Sequence, residues 1–160
     1  MDQAELIKIS PNYGASTVAS SYVHSRVKRT YDLIMALTLL ILSLPVLLPA
    51  VLLNTILTAG HPVFIQRRLG KGSEEFGLIK LRTMRRPKNG ESWSHRTDVG
   101  DVRVTFFGKV LRRLYVDELP QLINVISGQM SIIGPRPETL KTTQLLSEAH
   151  PRFIERILVN

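Results

Sequence analysis

The chain has 160 residues, 44% of them hydrophobic, which sets an expectation of one domain. Its net charge of +8 favours anionic partners: nucleic acid, lipid headgroups or phosphorylated substrates. With no cysteine, disulfides, thiolate catalysis and cysteine-ligated zinc are excluded, and the four scattered histidines make no helix-spaced pair that would point to a metal site. Residues 1–25 are polar and small, and read as a flexible tail without the apolar core of a signal peptide. Arg26, Lys28 and Arg29 follow, and then residues 33–59 carry no charge at all. About 20 apolar residues span a bilayer, so residues 26–60 are a membrane-inserted helix by length.

Two features argue against a simple crossing. Pro45 and Pro49 each remove a backbone donor inside the run and favour a kink. Both flanks are basic, Arg26, Lys28 and Arg29 before and Arg67, Arg68 and Lys71 after, and the positive-inside rule puts each in the cytoplasm. A broken helix that dips in and returns satisfies both; a kinked span stays open beside it. Asn54, Thr55 and Thr58 make the second half wetter, as an exit through the interface would.

Residues 61–160 read as a small core. Gly60-His61-Pro62 is a turn, Val63-Phe64-Ile65 a short strand or interfacial segment, and residues 66–72 a basic, glycine-containing loop. Residues 76–84 have partial two-residue periodicity, which puts Lys80 and Arg82 on one face of a strand. Residues 85–100 are a polar loop holding Trp93, either an interfacial anchor or a half-buried aromatic. Phe106, Phe107, Val110, Leu111 and Leu114 recur at helical spacing, with Lys109, Arg112 and Arg113 on the other side. Such a helix suits a membrane surface, or simply a solvated polar face.

Asp117-Glu118-Leu119-Pro120 then sets two carboxylates between that basic helix and a short apolar run. Local preferences alone make this a helix start: Asp as N-cap, Glu in the first turn, Pro at the entry, and Gly128 as the C′ residue that ends it. The arginines one turn back raise a phosphate-handling reading beside that one, and Arg136, held between Pro135 and Pro137, suits either a phosphate contact or a structural turn. Residues 139–158 read as helical, interrupted at His150-Pro151.

From Lys28 to about Glu138 the chain resembles the bacterial sugar transferase family, the monotopic phosphoglycosyl transferases. The pieces stand in family order: Lys28-Arg29 with Asp32; Pro62-Val63-Phe64 with Gln66, Arg68 and Gly70; Lys80-Leu81-Arg82-Thr83-Met84; Asp101, Arg103, Thr105 and Gly108; Leu111-Arg112-Arg113; Asp117-Glu118-Leu119-Pro120-Gln121-Leu122; and Gly134-Pro135-Arg136-Pro137. The resemblance implies a mostly helical α+β fold: a re-entrant, kinked membrane helix before a small cytosolic catalytic core with amphipathic interfacial helices. It implies transfer of a sugar-1-phosphate from a UDP-sugar to polyprenyl (undecaprenyl) phosphate with release of UMP. That step initiates exopolysaccharide, capsule, O-antigen or glycoprotein-glycan synthesis at the cytoplasmic face of the bacterial inner membrane.

By the same resemblance Asp117 is the nucleophile that carries the phosphosugar. Asp117 and Glu118 are the catalytic pair and hold Mg²⁺, and Lys80, Arg82, Arg112 and Arg136 bind substrate phosphate. The implied partners are UDP-sugar, polyprenyl phosphate and membrane lipids, without nucleic acid; a homodimer stays open. Two departures stand out. The family's helix break carries adjacent Ser-Pro where this chain has Ser43-Leu44-Pro45, and relatives continue into a Pro-Gly-hydrophobic-Thr-Gly segment, so the core is expected to be C-terminally incomplete. A catalytically inactive, membrane-anchored remnant or partner-binding protein of the same fold is therefore the alternative. A membrane-tethered nucleic-acid binder rests on charge alone.

Overall fold

The computed structural model describes residues 25–58, 61–70, 74–85, 101–150 and 153. The elements are α1 (Arg26–Thr58), β1 (Val63–Leu69), β2 (Glu75–Leu81), α2 (Phe106–Arg113), a 3-10 turn (Val116–Glu118), α3 (Gln121–Ile126) and α4 (Leu140–Ala149). β1 and β2 form a two-stranded sheet. The mostly helical α+β expectation holds. The N-terminal tail before Ser25 and the loop with Trp93 lie outside the described residues.

α1 is 33 residues long, about 50 Å at the helical rise, against a hydrocarbon layer of about 30 Å. Among the described residues it is the one helix long and apolar enough to cross a membrane. It stays helical through Pro45 and Pro49, where the sequence predicts a break. Both rings lie on the exposed side, so neither intrudes on packed neighbours, and the bonds above and below carry the helix past two missing donors. Asp32, Ala36, Leu47, Ala50 and Asn54 are buried, and Leu40 and Ser43 are half-buried between them. Steps of three and four make this a single stripe. Around it Ile34, Ile41, Leu42, Leu48, Leu52 and Ile56 are exposed, a surround suited to lipid.

The chain folds as two compact units. One comprises Met1–Leu39, Gln66–Leu78 and Leu122–Asn160. Here the start of α1 is gripped by polar side chains. Asp32, 4% exposed, accepts from the Lys28 ammonium at 3.1 Å, from the Ser131 hydroxyl at 2.8 Å and from the Ile132 N–H at 3.2 Å. Arg29 donates to the carbonyls of Val125 and Ile126, at 2.6 Å each, at the end of α3. Gly128 ends that helix in the left-handed region (φ +85°), as predicted. Its N–H reaches the Val125 carbonyl at 3.0 Å and the Gln129 N–H reaches the Asn124 carbonyl at 2.9 Å, the paired bonds of a Schellman motif. β1 runs on through Leu69, so residues 66–69 are strand rather than loop. Burial of Leu69 against Leu140, and its N–H bond to the Glu138 carbonyl at 2.9 Å, explain the extension. α4 ends where His150-Pro151 predicts, with His150 as its cap.

The other unit comprises Leu40–Ile65 and Ile79–Gln121. Its core joins Leu47 and Ala50 of α1 to Leu81, Leu111 and Val116. Asn54 is fully buried, not at a wet exit: its amide donates to the carbonyls of Pro62 at 3.1 Å and Arg82 at 2.9 Å. A buried amide is tolerated where such partners exist. α2 splits its apolar residues between two faces. Phe107 and Leu111 pack inward, whereas Phe106, Val110 and the cap Leu114 are exposed beside Lys109 and Arg113.

Asn54→Leu keeps approximate volume but leaves two carbonyls without that donor. The Pro62 carbonyl still accepts the Arg82 N–H at 2.7 Å, so the larger cost falls at the Arg82 carbonyl, about 1–3 kcal/mol, more than the added apolar contact returns in a site already full. The thermal unfolding midpoint in nanodiscs should fall; an unchanged or raised midpoint would show that the clasp contributes nothing.

Candidate active site

α2 begins at Thr105, whose hydroxyl accepts the Gly108 N–H at 2.9 Å as an N-cap. The helix is seated on Thr83, two residues beyond the end of β2. Thr105 donates its N–H to the Thr83 carbonyl at 3.1 Å, and Gly108 lies so close that a Cβ there would come 2.2 Å from that oxygen. Only glycine fits such an approach. Just before the helix Arg103 forks onto Asp101, with Nε at 2.9 Å from Oδ1 and Nη2 at 2.6 Å from Oδ2. These bonds, first from the side chain and then from the Arg103 N–H, hold the Asp101 carboxyl down at about 2, and the Arg112 charge adds to them.

α2 ends at Arg113, and Tyr115 takes a left-handed conformation (φ 57°) that costs a side-chain-bearing residue about 1 kcal/mol. That reversal drops Val116 into the core and carries Asp117 in behind it, to 8% exposure. Asp117 is therefore not the N-cap that local preferences predict: it sits in the 3-10 turn, and α3 starts only at Gln121. Packing of Val116 overrides the capping preference.

Four of the predicted residues come together here. Lys80, from β2, bonds Glu118 at 3.2 Å, and both side chains are largely buried. Arg112 donates through Nε to the Thr83 hydroxyl at 2.8 Å. Burial pushes the Asp117 carboxyl above the usual carboxylate range, and the neighbouring Glu118 pushes it further; Lys80 and Arg112 pull the other way. Arg82 lies one residue past the end of β2, its main chain bonded to Pro62 and Asn54 and its Nε and Nη1 buried. Arg136 belongs to the other unit, exposed beside the buried Pro137. Among the described residues no group of three or more His, Asp or Glu gathers as a metal site. Asn54 carries no sequence signal for the part it plays, and Thr83 carries only its place in the Lys80–Met84 motif. Gly108 carries a weak one, as a glycine inside a helical pattern.

The family model described as bacterial sugar transferase matches residues 23–160. The chain belongs to that family. A relative from Bacillus subtilis (strain 168) is 40% identical over 133 residues, 82% of this chain and 73% of its own length. Its name, given provisionally, is undecaprenyl-phosphate N-acetylgalactosaminyl 1-phosphate transferase. A UDP-N-acetylgalactosamine-undecaprenyl-phosphate N-acetylgalactosaminephosphotransferase of Aeromonas hydrophila is 36% identical, covering 87% of this chain and 33% of its own. A UDP-glucose:undecaprenyl-phosphate glucose-1-phosphate transferase of Caulobacter vibrioides is 39% identical, covering 81% and 48%. The chain thus spans most of the first relative and half or less of the other two. In this sugar transferase the matched residues divide by task. Lys80, Arg112, Asp117 and Glu118 cluster charge, and Asp101, Arg103, Thr105 and Gly108 hold the backbone of the same unit, whereas Lys28 and Asp32 hold the start of α1 to Ser131 and Ile132 in the other.

The Asp117 shift has a stability consequence. A carboxyl whose folded pKa is raised favours folding most below its unfolded value near 3.8, and that contribution is lost as pH rises through the folded value. At neutral pH the raised pKa therefore costs the fold stability. Asp117→Asn should therefore raise the thermal midpoint at pH 7, with the gain shrinking toward pH 4. A midpoint that falls at pH 7 would contradict the burial cost.

Proposed function

We propose that this chain transfers a sugar-1-phosphate from a UDP-sugar to polyprenyl phosphate, and that Asp117 carries the phosphosugar between them. The supporting observation is a buried carboxylate with a raised pKa, set between a second carboxylate and two cations. Burial and crowding make Asp117 a more basic, less hydrated nucleophile. A carboxylate oxygen attacks the phosphorus that bears the sugar, and the bond from that phosphorus to the UMP oxygen breaks. An oxygen of polyprenyl phosphate then attacks the same phosphorus. The aspartyl bond breaks, the carboxylate is restored and the lipid leaves as a diphosphate-linked sugar. Lys80 and Arg112 offset charge as it moves onto the leaving phosphate, which is most of what phosphoryl transfer asks of a protein. Arg82 is proposed to contact the outer phosphate oxygens.

Mg²⁺ fits the donor set. Two adjacent carboxylates with no nitrogen or sulfur ligand suit a hard cation that keeps water and substrate phosphate as its other ligands. Asp117 and Glu118 would hold it, and when bound it would neutralise the diphosphate.

The proposed topology is re-entrant: α1 is proposed to bend at Pro45 and Pro49 without ceasing to be helical, so that both ends lie at the cytoplasmic face of the bacterial inner membrane. Its support is that polar chain grips the helix near each end, through Arg29 and Asp32 at one and Asn54 at the other, and that both flanks are basic. The exposed Phe106, Val110 and Leu114, with Lys109 and Arg113, suit an interfacial helix. With no native cysteine, single-site labelling is clean. Ser25→Cys and His61→Cys should both react from the cytoplasmic side; labelling from opposite sides would mean a span.

Turnover decides the reaction. Nanodisc-embedded protein with Mg²⁺ and polyprenyl phosphate should release UMP from one member of a UDP-sugar panel. Asp117→Asn should lower that rate by a factor of about 10³ or more and abolish the covalent phosphosugar. Unchanged turnover by Asp117→Asn would remove Asp117 from its role, and silence across the panel would favour the partner-binding alternative.

A further inference from the structure

Thr83 is 5% exposed and meets α2 at two points about two turns apart. Its carbonyl receives the Thr105 N–H at 3.1 Å and lies under Gly108. Its hydroxyl receives Arg112 Nε at 2.8 Å, since a helical side chain leans back toward the N-terminus of its helix. The main chain seats the helix; the side chain addresses only the guanidinium. Nε is the inner corner of the arginine fork. A partner there fixes the plane and rotation of the group while leaving the outer Nη1–Nη2 edge to meet two oxygens at once. Among the described residues neither Nη nitrogen hydrogen-bonds the protein, although the same guanidinium acts electrostatically on both Asp117 and Asp101.

We infer that Thr83 is a positioning residue: its hydroxyl holds Arg112 Nε so that the Nη edge stands ready for the phosphoryl oxygens at Asp117. This rests on the transfer reaction proposed above. A long arginine left to its rotamers would lose side-chain freedom on meeting the phosphate, and Thr83 imposes that order beforehand. The benefit appears where charge develops on the transferring phosphoryl group, so it belongs to kcat more than to KM.

Thr83→Val deletes the acceptor and keeps the carbonyl that seats α2; Thr83→Ser restores a hydroxyl. On the UDP-sugar that is turned over, Thr83→Val should lower kcat about tenfold or more, with KM within about twofold, and Thr83→Ser should recover most of the rate. In an Arg112→Ala background Thr83→Val should do nothing further. A full additional loss there, or an unchanged kcat in the single variant, would overturn the assignment. The Arg112 Nε–H resonance of the substrate-free protein supplies a readout independent of turnover. It should exchange slowly in the wild type and in Thr83→Ser, and fast and shifted in Thr83→Val. If it behaves so while no UDP-sugar yields UMP, the positioning stands and the reaction reading fails. A resonance unmoved by Thr83→Val removes the positioning whatever the activity.

Discussion

Asp117 is a buried carboxyl beside a second carboxylate, and much of the surrounding unit answers the cost of placing charge there. A carboxylate taken from water is costly unless cations or hydrogen bonds replace what it loses. Here Glu118 adds to the cost, so the compensation has to come from Lys80 and Arg112. Each is delivered by a different element, Lys80 by β2 and Arg112 by α2. Each is also held by a partner of its own, Glu118 for the first and Thr83 for the second. The left-handed Tyr115 belongs to the same account. It is the only non-glycine residue with positive φ among those described, and it stands at the reversal that carries Val116 and Asp117 inward. A strained backbone next to a buried carboxyl is retained because the packing around it over-determines it.

The long apolar helix obeys a second constraint. Lipid offers no hydrogen bonds, so polar groups on α1 must find protein. They do so along one stripe, with Asp32 bonded to Lys28, Ser131 and Ile132, and Asn54 bonded to two carbonyls. The remaining faces are left apolar. Polar anchors on an otherwise uniform helix also fix its rotation, because Asp32 or Asn54 turned outward would lose its partners at a cost of several kcal/mol.

What could be read from the sequence was whatever rests on local pattern. The uncharged run, β2, the C-terminal glycine of α3 and the stop at His150 all follow from composition, period or turn chemistry, whereas the second half of β1 looked like a basic loop. The order of short motifs was enough for the family. What could not be read depends on tertiary contact. Capping preference put Asp117 at a helix start, and burial of Val116 placed it in a turn instead. Helical periodicity grouped Phe106 with Phe107 and Leu111, yet an eight-residue helix seated on Thr83 can bury only part of that set. Asn54 resembled a residue leaving the membrane, because its two acceptors lie 8 and 28 residues further on.

Motif residues in this family therefore need not be chemical. Asp101, Arg103, Thr105 and Gly108 lie in the same matched stretch as the Asp117-Glu118 pair, yet they act on backbone: a fork that closes a turn, a cap, and a missing Cβ that lets a helix touch a carbonyl. Their effect reaches Asp117 through Arg112. Displacing α2 by the width of one methyl group would shift the guanidinium relative to the phosphate it is proposed to meet, and misplacement by about 1 Å can cost about a hundredfold in rate. A glycine with no functional atom can thus matter to turnover as much as a charged group, because the electrostatics of the site depend on how closely one short helix rests on one threonine.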